Sequence, residues 1–163
     1  MAPSWNVTLM QSDDIKRTFG TAVPDHFSEV AARYGCTLSA VSSTVFRMQS
    51  TSCDVKIRLS DAHQPDIIVT IAPRSEEWDA EAIQSNEFGL GVVISCLFKR
   101  DAPRPKKLRT GDDVRRETQR LAHLLDIYGG RSLRGDFSEW PRLRACVDAR
   151  VKARSASRGA ASD

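Results

Sequence analysis

Long apolar runs are missing from this chain of 163 residues: nowhere does it hold about 18 uncharged apolar residues in a row, the length a membrane-crossing helix requires. The start, MAPSWNVTLMQSDD, lacks the basic and then apolar order of a secretion signal, so a cytosolic protein with no membrane partner is expected. Cysteine is sparse and scattered. Cys36, Cys53, Cys96 and Cys146 form no CxxC pattern, which excludes the usual redox and zinc motifs and predicts buried free thiols. Histidine is rarer still, and neither His26, His63 nor His123 has a second His or Cys three or four residues away, so no metal is expected. There is no GxSxG, no phosphate-binding loop and no internal repeat; Gly89-Leu90-Gly91 lacks the third glycine and the preceding strand of a dinucleotide fingerprint. Adjacent acids at Asp13 and Asp14, Glu76 and Glu77, and Asp112 and Asp113 lie in polar stretches, where nothing pushes two pKa values apart for acid–base work. A non-catalytic protein without cofactor follows from these absences.

What the chain does have is a charge asymmetry. Residues 1–98 carry 7 basic and 12 acidic side chains, and residues 99–163 carry 17 and 9, so a net −5 is followed by a net +8. That split points to a charged partner and says nothing about fold.

Periodicity supplies the fold. Phe27, Val30, Ala31 and Tyr34 fall on one helix face, predicting a helix from Pro24 to Gly35. Cys53, Val55, Ile57 and Leu59 alternate with Asp54, Lys56, Arg58 and Ser60, the period of a half-buried strand, and the β-branched run Ile67 to Ile71 completes a hairpin. Val45 to Met48 adds a strand before it. Gly89 to Phe98, GLGVVISCLF, is apolar on both alternations and reads as a central strand, with a buried helix as the alternative. Thr110 caps a helix with Asp112 and Asp113 in its first turn and Val114, Leu121, Leu124, Leu125 and Tyr128 as its stripe. A last helix starts near Ser138 and turns Trp140, Leu143, Val147 and Val151 inward. The predicted class is α+β: an antiparallel sheet of about four strands packed with an N-terminal helix and a C-terminal helix pair. It forms one domain over residues 1–154, followed by a disordered polar tail at 155–163. Arg134-Gly135-Asp136, an adhesion tripeptide in exported proteins, is expected here to be the corner of the helix pair.

Two stretches look like surfaces. Ser75 to Glu87 carries Glu76, Glu77, Asp79, Glu81 and Glu87 around Trp78 with no basic residue, a large aromatic anchor in an acidic surround suited to a basic protein. Lys99, Arg100, Arg104, Lys106, Lys107 and Arg109, followed by Arg115 and Arg116, form a basic segment with no aromatics to stack bases. Its alternative use is contact with nucleic-acid phosphates, led by Lys106, Lys107, Arg109, Arg115 and Arg116.

The helix ending ARYGCTL, the hairpin VKIRLSDAHQPDIIVTIAP and the helix pair joined by YGGRSLRGDFSEWPRL together resemble the small immunity proteins of bacterial toxin–immunity pairs, including contact-dependent growth inhibition systems. The resemblance spans roughly residues 25–150 and is one of architecture. It implies a cytoplasmic, non-catalytic inhibitor that binds one cognate toxin, often a nuclease, and blocks its active site or substrate surface. On local composition the contact residues are Trp78, Glu76, Glu77, Asp79, Glu81 and Glu87.

Overall fold

The computed structural model describes residues 5–60, 64–74 and 86–160, with side chains from residue 12 onward. Among them the order is α1 (Trp5–Arg33), β1 (Thr37–Ser42), β2 (Val45–Gln49), β3 (Cys53–Leu59), β4 (Ile67–Pro73), β5 (Phe88–Gly89), α2 (Leu90–Leu97), α3 (Gly111–Leu133) and α4 (Trp140–Ala160). The α+β class and the helix, sheet, helices order are as expected. The sheet has five strands in the order β1-β2-β3-β4-β5, and every neighbouring pair is antiparallel. The alternation in Cys53–Leu59 puts Cys53, Val55, Ile57 and Leu59 on the buried face, opposite Ile67, Val69 and Ile71 of β4. A slip of one residue in register would send this whole set into water.

α1 and α3 lie side by side on that buried face and run in the same direction. Gly111 N–H meets the Asp14 carboxylate at 3.1 Å near one end, and Arg33 pairs with Asp126 near the other. Between them and the sheet sit Phe19, Val23, Phe27, Val114 and Leu125, with the Phe19 and Phe46 rings edge to face at 5.6 Å. Thr110 and Asp113 form the expected cap as a full capping box.

Four expectations are corrected. α1 does not begin at Pro24; it runs through it, because Ile15, Phe19, Ala22 and Val23 carry the buried stripe of Phe27 and Val30 back three turns. Burying Ile15, Phe19 and Val23 outweighs the roughly 3 kcal/mol that an interior proline costs. Gly89 to Phe98 is a helix for most of its length: only Phe88 and Gly89 pair with Ile71 and Thr70, after which Leu90, Val93 and Ile94 turn inward at helical spacing. An all-apolar run hides its period, so the alternation could not separate the two. The thiols are not all free, since Cys96 of α2 and Cys146 of α4 form a disulfide, leaving Cys36 and Cys53. Val151 does not face the core; it is 57% exposed, and α4 continues to Ala160 with every residue from 148 onward exposed.

No helix among the described residues is long and apolar enough to cross a membrane.

Candidate interaction surfaces and the α1–α3 cleft

The face of the sheet turned away from α1 and α3 is polar. Across it run Ser39, Arg47, Lys56 and Thr70, aligned by the strand register, with Asp54 and Arg58 in the flanking rows. These side chains are half-buried or exposed, and most of their charges are paired. Arg47 donates through two nitrogens to Asp54, and Gln49 adds a bond at 3.4 Å. Arg58 is exposed and makes no ion pair among the described residues.

Of the acidic set expected to bind a partner, Trp78, Glu76, Glu77, Asp79 and Glu81 lie outside the described residues. Glu87 is described and belongs to the polar face. The Thr70 hydroxyl donates to one carboxylate oxygen and the Lys56 ammonium to the other at 3.4 Å. The residues on either side of the undescribed stretch are also anchored. Arg74 reaches the Ser50 carbonyl at 3.0 Å beside the β2–β3 turn, while Asn86 accepts from Trp140 Nε1 at 2.9 Å and from Arg144 at 2.8 Å. Arg74 is thus held at the β2–β3 turn, and Asn86 at the start of α4.

The basic segment connects α2 to α3. Lys99, Arg100, Arg104, Lys106, Lys107 and Arg109 are all exposed, and buried Leu108, whose N–H donates to the Pro65 carbonyl at 3.2 Å, pins the strap. Arg115 and Arg116 are less available than composition suggests. They pair with Asp112 at 3.3 Å and Asp113 at 3.1 Å, one turn earlier.

A cleft of about 530 Å³ between α1 and α3 was not foreseen. It brings His26 and His123, 97 positions apart, to one wall-lined space with Arg33, Arg116, Arg120 and Asp126. No spacing rule could have joined two histidines on different helices; only the parallel packing does. Its arginines are all paired, Arg33 within the cleft and Arg116 and Arg120 with acids one turn earlier on α3. Arg33 bridges Glu29 at 3.0 Å and Asp126, and the Tyr34 hydroxyl donates to Asp126 at 2.9 Å. Burial works to raise Asp126, but the bonds from Tyr34 and Arg33 overcome it and hold the carboxyl below the ordinary range. Arg120 grips buried Glu117 through two nitrogens, one at 2.8 Å. Among the described residues no group of three or more His, Cys, Asp or Glu is placed to hold a metal ion.

Cys53 is a poor nucleophile: burial pushes its thiol up to about 12, so it stays protonated at neutral pH. In the tripeptide Arg134-Gly135-Asp136, the aspartate is already engaged. It accepts from the Ser138 hydroxyl at 2.6 Å, from the Ser138 N–H at 3.1 Å and from Arg131 at 2.6 and 2.9 Å. Arg134 stacks over the Tyr34 ring at 5.0 Å. This is a helix corner with its polar groups satisfied internally.

No protein-family model matches the chain, and no curated protein or solved structure is similar to it.

Proposed function

We propose that the chain is a cytoplasmic immunity protein that binds a cognate bacterial toxin, a basic nuclease domain, and neutralises it by covering its active site or substrate surface without catalysis of its own. The observation that carries this reading is the fixing of Glu87 on the polar sheet face by Thr70 and Lys56. Glu87 is the last residue of an acidic run in the sequence that is rich in carboxylates and centred on Trp78. Carboxylates in such a run can occupy a basic cleft where phosphates would otherwise sit, and a tryptophan supplies the anchor that charge alone lacks.

The test is co-expression with candidate toxin domains, beginning with the products of the reading frames that flank this gene. Restored growth and co-elution of the two chains are expected, with both lost when Trp78 and its neighbouring acids are replaced together by Ala, Gln and Asn. Failure of the unaltered chain to restore growth or to co-elute would overturn the proposal.

A further inference from the structure

From Asp148 to Ala160 every residue of α4 is exposed, and beyond Arg150, at 1.5 Å per residue, about 15 Å of helix extends from its last contact with α2. Its stem is held firmly. Trp140 and Leu143 are buried, Cys146 is bonded to Cys96, and Arg142 and Arg150 donate to the Leu97 carbonyl at 2.8 Å and the Ser95 hydroxyl at 2.9 Å. The overhang therefore leaves the molecule in a direction set by α2.

Its composition narrows the partner. Between Asp148 and Ala160 the basic residues Arg150, Lys152, Arg154 and Arg158 outnumber the one acid, Asp148, with Asp163 following at the end of the chain. Arg150, Arg154 and Arg158 recur every fourth residue and so form one line down the helix, about 6 Å apart. Like charges at this spacing repel, and an anionic surface laid along the line would offset that repulsion. Lys152 and Arg154 make no ion pair among the described residues. Apart from Val151, the remaining side chains are Ala, Ser and Gly. A helix that docks in a protein groove presents large apolar anchors over successive turns, and one that lies on a membrane presents a broad apolar face. This overhang has neither, so charge is its means of recognition. It also has no aromatic residue on which the bases of a single strand could stack. Its small side chains keep it slim, which suits the B-DNA major groove, about 12 Å wide, whereas the deep, narrow major groove of duplex RNA excludes side chains.

We infer that the α4 overhang is a DNA-binding arm that lies along the major groove of duplex DNA and neutralises phosphates through Lys152 and Arg154, with Arg150 at its root. The inference is independent of the toxin-neutralising reading and of the 99–109 strap. Fluorescence anisotropy of the oxidised full-length chain with a short labelled DNA duplex, titrated from about 50 to about 200 mM salt, tests it. With about three phosphates neutralised, log K should fall against log salt with a slope of about −3. The double variant Lys152→Glu, Arg154→Glu should weaken binding at least about tenfold and flatten the slope by about 2, while Lys106→Glu, Lys107→Glu should leave both unchanged. Absence of binding at low salt would overturn the inference. So would equal affinity for duplex RNA or single-stranded DNA, uptake by phosphatidylserine vesicles in place of DNA, or a folded Lys152→Glu, Arg154→Glu protein that binds as tightly as the parent.

Discussion

Cys96 in α2 and Cys146 in α4 are joined across 50 residues of sequence, and the bridge is the covalent tie between the short helix that follows the sheet and the last helix of the chain. Closing a loop of that length in the unfolded chain is worth about 4 kcal/mol in the chain-entropy account, and native disulfides typically return 2–4 kcal/mol. Cys146→Ser, or full reduction, should therefore lower the thermal midpoint by several degrees, and thiol titration of the denatured, unreduced protein should count two free thiols. Four free thiols, or an unchanged midpoint after reduction, would remove the bridge from the account.

Acid should weaken the fold through particular carboxylates. Asp136 is lowered to about 2, first by the Ser138 hydroxyl and then by the Ser138 N–H and Arg131. Asp113 is lowered chiefly by the Arg109 N–H, and Asp126 is lowered by Tyr34 and Arg33 against its burial. A depressed carboxyl stabilises the folded state above its unfolded pKa, about 3.9, and that stability is lost as pH falls through the folded value. Urea midpoints should be level above about pH 5 and decline below about 4, with a shallower decline in Asp126→Asn, Asp136→Asn. Parallel declines in parent and variant would show that other groups carry the acid sensitivity.

Gly135 is required at the corner between α3 and α4. Its φ of +87° lies in the left-handed region, and an added Cβ would stand 2.5 Å from the Ser52 hydroxyl and 2.9 Å from its Cβ. Gly135→Ala should cost about 1–3 kcal/mol by chemical denaturation. Gly20→Ala, where nothing lies within 4 Å and the site is an exposed helix turn, should instead be neutral or slightly stabilising. If the two variants lose equal stability, the corner geometry is not the reason.

At the proposed toxin surface, Trp78→Ala should weaken binding by about 2 kcal/mol or more, close to thirtyfold, seen mainly as faster dissociation. Glu87→Gln should have a smaller effect that shrinks with added salt, since Lys56 and Thr70 already hold the carboxylate. Calorimetry with the purified toxin domain would measure both. Unchanged affinity in a folded Trp78→Ala protein would move the interface elsewhere.

Much of the fold could be read from local chemistry. The strict alternation of Cys53–Leu59 determines a strand with one wet face whatever it packs on, and Thr110 with Asp113 determines where α3 starts, because a cap acts over one turn. Charge was legible in the same way: the exposed basic strap lies in the segment that its prolines and lysines indicated. Site geometry was less accessible, because Arg115 and Arg116 lose much of their availability to acids one turn away.

Tertiary structure decided the matters that local chemistry leaves balanced. Leu90–Leu97 is apolar on every side, so whether it extends or coils depends on the space left beside β4, and the space admits a helix. Pro24 stops a helix in isolation, yet the buried stripe from Ile15 to Val30 carries α1 through it. The pairing of Cys96 with Cys146 and the meeting of His26 with His123 need helices distant in sequence to pack together. Periodicity, caps and charge act over a few residues and are written in the chain. Which distant groups meet is settled by burial of the shared core, an energy that belongs to all its elements at once.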